Sequence, residues 1–163
     1  MDECSSERWD YAMIVKGIID EDFVNYKVPS MVIMMPICTF KCGNKCQNID
    51  LINAPDINIS YSDLTNRFLK NPISRAIVFQ GLEPMDSFED VYNFCRVFRQ
   101  KSDADIVIYT GYDKSELAQQ LDKLREFNNI IIKYGRYIPD KNKRYDELLG
   151  VYLASDNQWA EMV

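Results

Sequence analysis

The sequence predicts an α/β fold: a parallel sheet of about five or six strands with flanking helices, open or closed into a partial (β/α) barrel. Three observations predict it. Short runs rich in Ile, Val and Met alternate with stretches of helical periodicity. Several of the runs are apolar at consecutive positions, as in strands buried on both faces. Chemistry-bearing residues recur where those runs end, which is where parallel sheets gather their ligands.

The elements follow in order. Tyr11–Gly17 (YAMIVKG) reads as a short strand, and Asn25–Pro29 is expected to pair with it. Met31–Ile37 (MVIMMPI) is a continuous apolar run and the first buried strand, with the cysteine loop directly behind it. Ser62–Asn71 has a serine available as N-cap, apolar Leu64, Phe68 and Leu69, and Pro72 just beyond as a stop, so a helix is expected. Arg75–Gln80 (RAIVFQ) is the second buried strand. Ser87–Lys101 carries Val91, Phe94, Cys95 and Phe98 on one helical face. Asp105–Thr110 (DIVIYT) is a third strand. Asp113 and Glu116 have capping-box spacing and open a helix to about Phe127. Asn129–Tyr134 (NIIIKY) is a fourth strand, followed by a polar loop over Asp140–Asp146 and a last strand candidate at Val151–Ala154. Alternation of this kind implies right-handed βαβ units.

Composition narrows the function. The chain has 163 residues with no internal repeat and no Gly/Ser linker, so one domain over 1–163 is expected, with 1–9 as a flexible terminus. With 47% hydrophobic and 27% charged residues the chain is ordinary globular protein rather than disordered. A net charge of −6 gives no support for a nucleic-acid or anionic-membrane partner. There is no histidine. That excludes Ser-His and Cys-His nucleophiles, His-bearing zinc sites and the commonest general base.

Five cysteines, three of them within nine residues, do not form a secreted disulfide framework; thiolate ligands in a reducing, cytoplasmic setting fit better. Met1–Trp9 is polar and acidic, unlike a signal peptide, and the longest apolar stretch is too short to cross a bilayer. A soluble cytoplasmic protein is therefore expected.

Three motifs fall on one expected rim. The cysteines follow the strand Met31–Ile37, Gly81-Leu82-Glu83-Pro84 follows Arg75–Gln80, and Thr110-Gly111-Tyr112 ends the next strand. Cys38, Cys42 and Cys46 are spaced four and four, in a loop whose Gly43 and two asparagines let it wrap around one centre. Three thiolates do not complete a tetrahedral structural zinc site. Soft sulfur donors without nitrogen ligands favour an iron–sulfur cluster with one iron left open. Two other readings stand beside it: an incidental group of thiols, and a zinc knob completed by Cys4 or Cys95. Cys95 on an apolar helix face reads as core. Gly-Leu-Glu-Pro taken alone is equally well a plain turn, with Gly allowing close backbone approach and Pro84 ending the pairing.

Together these elements resemble the radical S-adenosylmethionine superfamily, in which a Cys-x-x-x-Cys-x-x-Cys loop is followed by a Gly-Gly-Glu-Pro turn on the next strand. The resemblance implies that Cys38, Cys42 and Cys46 hold a [4Fe–4S] cluster. It also implies that S-adenosylmethionine binds the unique iron and is cleaved reductively to methionine and a 5′-deoxyadenosyl radical. Gly81 and Glu83 match the turn that meets the ammonium group of S-adenosylmethionine, while Lys45, Asn48, Thr110 and Gly111 are the further cofactor-binding candidates. Thr110-Gly111-Tyr112 also reads as a strand-to-helix turn. The chain departs from the pattern in having three residues, Gly43 to Lys45, between its second and third cysteines. Leu82 stands for the second glycine, and Lys45 for an aromatic that often precedes the third cysteine.

The Cys46-x-Asn48 ending, the TGY step and a tail with Lys133-Tyr-Gly-Arg-Tyr137 and Asn157-Gln158 resemble the anaerobic ribonucleotide reductase activating protein family, over roughly Met31–Gln158. Tyr134 stands where that family often has Asp, and Ala154-Ser155 replaces its Gly-Ser. The implied partners are a large glycyl radical enzyme, the anaerobic ribonucleotide reductase, and a one-electron donor such as flavodoxin or ferredoxin. No acid–base residue is required. Another small radical S-adenosylmethionine enzyme (a different activase or a modifying enzyme) and a non-catalytic iron–sulfur or zinc module are the alternatives. Tyr112, Tyr134 and Tyr137 are either entrance residues or ordinary half-buried tyrosines.

Overall fold

The computed structural model describes residues 12–40 and 48–163. Residues 1–9, Cys4, Cys42, Lys45 and Cys46 therefore lie outside the described residues.

A mixed α/β architecture is built on a six-stranded sheet. Its strands are β2 (Gly17–Asp22), β3 (Ser30–Met35), β5 (Ala76–Gly81), β6 (Asp105–Tyr109), β7 (Ile130–Tyr134) and β10 (Trp159–Met162), in the order β10-β7-β6-β5-β3-β2. The four central strands run parallel. The two outer ones, β2 and β10, run antiparallel to their neighbours. Two small antiparallel pairs complete the strands: β1 (Ala12–Val15) with β4 (Ile57–Ser60), and β8 (Arg144–Asp146) with β9 (Val151–Leu153).

The helices are α1 (Ile49–Ile52), α2 (Tyr61–Lys70), α3 (Phe88–Arg99) and α4 (Ala118–Leu124), with short 3-10 turns at Pro84–Ser87 and Lys114–Glu116. None is long and apolar enough to cross a membrane, among the described residues.

The expected α/β sheet and its buried strands are present, and the differences are local. Asn25–Pro29 is not a strand; the strand expected to pair with it, β1, pairs instead with β4, and the strand that precedes β3 and pairs with it is β2. Polar Asp20, Glu21 and Asp22 disguise β2 in the sequence, and a register irregularity interrupts it between Ile19 and Asp22. Helix α2 starts two residues earlier than Ser62 suggested, because Ser60 is the cap, its hydroxyl accepting the Asp63 amide at 3.0 Å. The capping box at Asp113 is real, with the Asp113 amide donating to Glu116 at 2.9 Å. It closes only a 3-10 turn, because Leu117 leaves helical geometry (φ −118°, ψ 21°) to bury itself in the core before α4 begins. Val151–Leu153 pairs within the β8–β9 hairpin and not with the main sheet.

Strand alternation gives the sheet two unlike faces. Met31, Ile33, Ile77, Phe79, Ile106, Ile108, Ile130 and Ile132 pack against Leu64, Phe68, Val91, Phe94, Phe98, Leu121 and Leu124 of the helices. Cys95 is fully buried in that layer, as its helical position suggested, and desolvation pushes its thiol up to about 12. The residues in between, Val32, Val78, Val107 and Ile131, face the other way, towards Tyr26, Leu149 and Leu153. At the carboxyl ends of the strands this second face opens into a cavity.

Candidate functional site

The cavity measures about 570 Å³. Gln80, Tyr109 and Lys133, the last outward residues of β5, β6 and β7, form part of its wall; so do Cys38, Gly81, Glu83, Thr110 and Gly111 from the segments that follow β3, β5 and β6. The cavity thus lies at the carboxyl ends of the parallel strands, where such sheets ordinarily take their ligands.

Gly81 closes β5 with φ +92°. A Cβ built on it would lie 2.9 Å from the Cα and Cβ of Met34 on β3, so the position admits only glycine without distortion. Its carbonyl accepts the Asn48 side-chain amide at 2.7 Å. Asn48 is the residue at which the chain returns after the cysteine loop. The outgoing side is fixed as well: Glu83 N–H donates to the Ile37 carbonyl at 2.8 Å, one residue before Cys38. Phe40 and Asn48, the described residues on either side of 41–47, both line the cavity, as does Cys38.

Glu83 is only 2% exposed, although it sits at the rim. Its Oε1 accepts the Met85 amide at 3.0 Å and the Thr110 hydroxyl at 2.7 Å; its Oε2 accepts the Gly111 amide at 2.8 Å. Burial pushes its carboxyl above the usual range, and those three donors pull the other way. Glu83 therefore bridges the ends of β5 and β6. Thr110 relays the arrangement, its hydroxyl also accepting the Tyr112 amide at 3.1 Å. Gly111 lets the Phe40 ring approach closely: an added Cβ would stand 2.5 Å from that ring, which would have to shift.

The sequence-predicted residues Cys38, Asn48, Gly81, Glu83, Thr110 and Gly111 thus share one cavity. Of the three tyrosines, Tyr137 lines it, Tyr134 is buried in the core, and Tyr112 packs on Phe40 with ring centroids 4.7 Å apart.

Two residues at the site went unrecognised in the sequence. Lys133 is 6% exposed, and its ammonium donates to the Gly135 carbonyl at 3.1 Å and lies 5.5 Å from the centre of the Tyr109 ring. Desolvation lowers it to about 8, with the Glu83 charge acting in the opposite sense. The available signal was a lysine on the same face as Ile131 in an otherwise apolar strand. Asp86 is the other. It accepts Thr39 N–H at 2.7 Å, Thr39 Oγ1 at 2.9 Å and the Tyr112 hydroxyl at 2.6 Å.

Residues 30–158 match the model of the 4Fe-4S single cluster domain family. The chain belongs to that family. The matched span runs from the first residue of β3 to the residue before β10, and so includes the whole rim. No curated protein matches the chain. The donor chemistry fits a 4Fe-4S single cluster domain: sulfur ligands are available at the rim, with no imidazole anywhere in the chain to divert them towards zinc. Cys38 is the candidate ligand among the described residues. The same rim also carries a buried carboxylate and a buried ammonium, more polar equipment than holding a cluster requires.

Proposed function

We propose that this 4Fe-4S protein is a radical S-adenosylmethionine activase that generates a glycyl radical on an anaerobic ribonucleotide reductase, with Cys38, Cys42 and Cys46 as cluster ligands. The observation that carries the reading is the shared cavity. The thiol-bearing segment, the Gly-Leu-Glu-Pro turn and the Thr-Gly step come from three successive strand ends and line one space.

The chemistry supplied by the bound cluster is one-electron reductive cleavage of S-adenosylmethionine to methionine and a 5′-deoxyadenosyl radical, which removes a hydrogen atom from the partner's glycine. The chain's own residues bind and orient. Lys133 brings a positive charge to the cavity wall, suited to the carboxylate end of an amino-acid-bearing cofactor. Glu83 brings the matching negative charge to the same cavity, for an ammonium group. Lys45 lies within the same loop in sequence and Asn48 just past its last cysteine. No side chain needs to transfer a proton, which agrees with the lack of histidine.

A macromolecular substrate is supported by the mouth of the cavity. Val24 and Tyr152 line it and are 73% and 71% exposed, so the space is rimmed by apolar groups in water instead of being sealed. A flavodoxin or ferredoxin would supply the electron.

Anaerobic reconstitution tests the reading. Reduced protein with S-adenosylmethionine is expected to release 5′-deoxyadenosine, and the electron paramagnetic resonance signal of the reduced cluster is expected to change when S-adenosylmethionine is added. A cluster whose spectrum ignores S-adenosylmethionine, with no 5′-deoxyadenosine formed, would leave a non-catalytic iron–sulfur module.

A further inference from the structure

We infer that Asp86 is a positioning residue for the iron–sulfur centre: it ties the peptide that follows Cys38 to the ends of β5 and β6, and keeps a carboxylate on the residue next to Cys38. The inference rests on the reading of Cys38 as a cluster ligand given above.

Asp86 lies in the 3-10 turn Pro84–Ser87, just past the Gly-Leu-Glu-Pro motif. An aspartate two residues before α3 has an ordinary use, which is to cap or to offset the helix dipole. Its side chain is occupied elsewhere. Oδ2 accepts both the amide (2.7 Å) and the hydroxyl (2.9 Å) of Thr39. Oδ1 accepts the Tyr112 hydroxyl at 2.6 Å. The N-cap residue of α3, Ser87, makes no side-chain capping bond either. The carboxylate has been turned away from the helix and towards the cysteine segment.

The consequence is a double hold on the two residues after Cys38. Thr39 is gripped directly. Phe40 is gripped through Tyr112, whose ring packs 4.7 Å from the Phe40 ring while its hydroxyl is fixed on Asp86. The Arg136 guanidinium also packs on Phe40, 4.2 Å from the ring centre. Thr39 is exposed, so burial does not explain its order. Without Asp86, water would serve its amide equally well.

Two effects on a cluster follow from this geometry. Outer-shell hydrogen bonds fix how ligands are presented, and their loss weakens metal retention. Cluster potentials also respond to nearby charge and to N–H groups donated to sulfur. A carboxylate one residue from the thiolate opposes uptake of an electron. It also occupies the Thr39 amide, so that amide is not donated to sulfur. Both effects hold the potential low, as a strongly reducing cluster needs.

The test uses the reconstituted full-length protein, with two readouts besides activity: the rate of iron loss to a chelator, and the midpoint potential from a redox titration followed by electron paramagnetic resonance. Asp86→Asn keeps an oxygen for Thr39 and removes the charge; it is expected to retain iron as the wild type does and to titrate at a less negative potential. Asp86→Ala removes the hold and is expected to lose iron about tenfold faster. Thr39→Val, which removes the hydroxyl's bonds to Asp86 and to the Tyr112 hydroxyl but keeps the amide bond, is expected to fall between and keeps the test open if Asp86→Ala does not fold. Wild-type iron release from Thr39→Val and Asp86→Ala, together with a wild-type potential for Asp86→Asn, overturns the inference. Cys38→Ala separates the two levels. If it still assembles the wild-type cluster, the ligand reading falls and takes this inference with it. If it does not, while the Asp86 variants behave as wild type, this inference alone falls.

Discussion

The Glu83 carboxylate accepts the Gly111 backbone amide at 2.8 Å, so the turn behind β5 and the turn behind β6 are fastened to each other by one buried side chain. The same carboxylate takes the Thr110 hydroxyl and the Met85 amide. In a site built from strand ends, each loop could otherwise adjust by itself. Here the two loops move together or not at all. Glu83 is thus both a candidate cofactor contact and the fastening of the wall around it.

Replacing Glu83 separates those roles. Glu83→Gln keeps one oxygen and presents an NH₂ group where the second oxygen was, so at least one of the three donors is left facing a donor. A buried donor without an acceptor costs about 1–3 kcal/mol. Chemical denaturation of the cluster-free protein should show a loss in that range. A variant as stable as wild type would mean that Glu83 does not fasten the rim.

Gly81→Ala should be costly without touching any cofactor. The residue has φ +92°, and its added methyl would press on the Met34 backbone at 2.9 Å. Since β3 and β5 are paired through this register, with Met35 opposite Gly81, relief requires moving two central strands apart. A loss of about 2 kcal/mol or more is expected in the denaturation midpoint of the cluster-free protein. Substitution at Gly17, where the nearest contact is the flexible Met34 sulfur at 3.3 Å, should cost less.

The contrast between these glycines shows what the sequence could convey. Buried parallel strands are legible because both faces demand apolar residues: Asp105–Tyr109 and Ile130–Tyr134 fall within the expected runs, and Ala76–Gly81 overruns its expected run by one residue. Edge strands are not. Gly17–Asp22 and Trp159–Met162 each have one paired side, carry acidic residues, and read as loop. The rim motifs were legible because each chemical signature sits one residue beyond an apolar run. Lys133 and Asp86 were missed for different reasons. The first is a polar intruder in a strand, recognisable only once β7 is known to turn that position into a cavity. The second acts across 47 residues, through its contact with Thr39, and no local pattern carries a contact of that separation.

Lys133 gives a pH signature. Burial lowers its folded-state value to about 8, below the 10.5 expected of an exposed lysine. Between those values the unfolded chain binds more protons than the folded one, so this group makes the protein more stable as pH rises through the window. The charged and titratable groups around it are the Glu83 carboxylate, which acts to keep it protonated, and the Tyr109 hydroxyl, which burial holds well above the ordinary tyrosine range. Relative to Lys133→Met, the wild type should gain about 1 kcal/mol between pH 8 and pH 9. Thermal melts of both proteins at the two pH values check it. Parallel curves would mean that the ammonium is solvated.

The cysteines should divide sharply in their response to substitution. Cys38 borders the cavity, and Cys42 and Cys46 follow it within a segment whose flanking residues, Phe40 and Asn48, border it too. Cys95 is 0% exposed on α3, among Phe94, Phe98 and their neighbours. Alanine at position 38, 42 or 46 is expected to abolish the signal of the reduced cluster and to lower iron per chain. The fold should remain after substitution at position 38, because Cys38, the one of the three among the described residues, belongs to neither core cluster. Cys95→Ala is expected to keep iron and spectrum while losing about 1 kcal/mol or more of stability from the space left behind. Iron content and thermal melting of the four variants, measured side by side, read both effects at once. A Cys95→Ala protein that lost its cluster while Cys46→Ala kept it would move the third ligand from the loop into the helical layer. That outcome contradicts the burial of Cys95 on the opposite side of the sheet from the cavity.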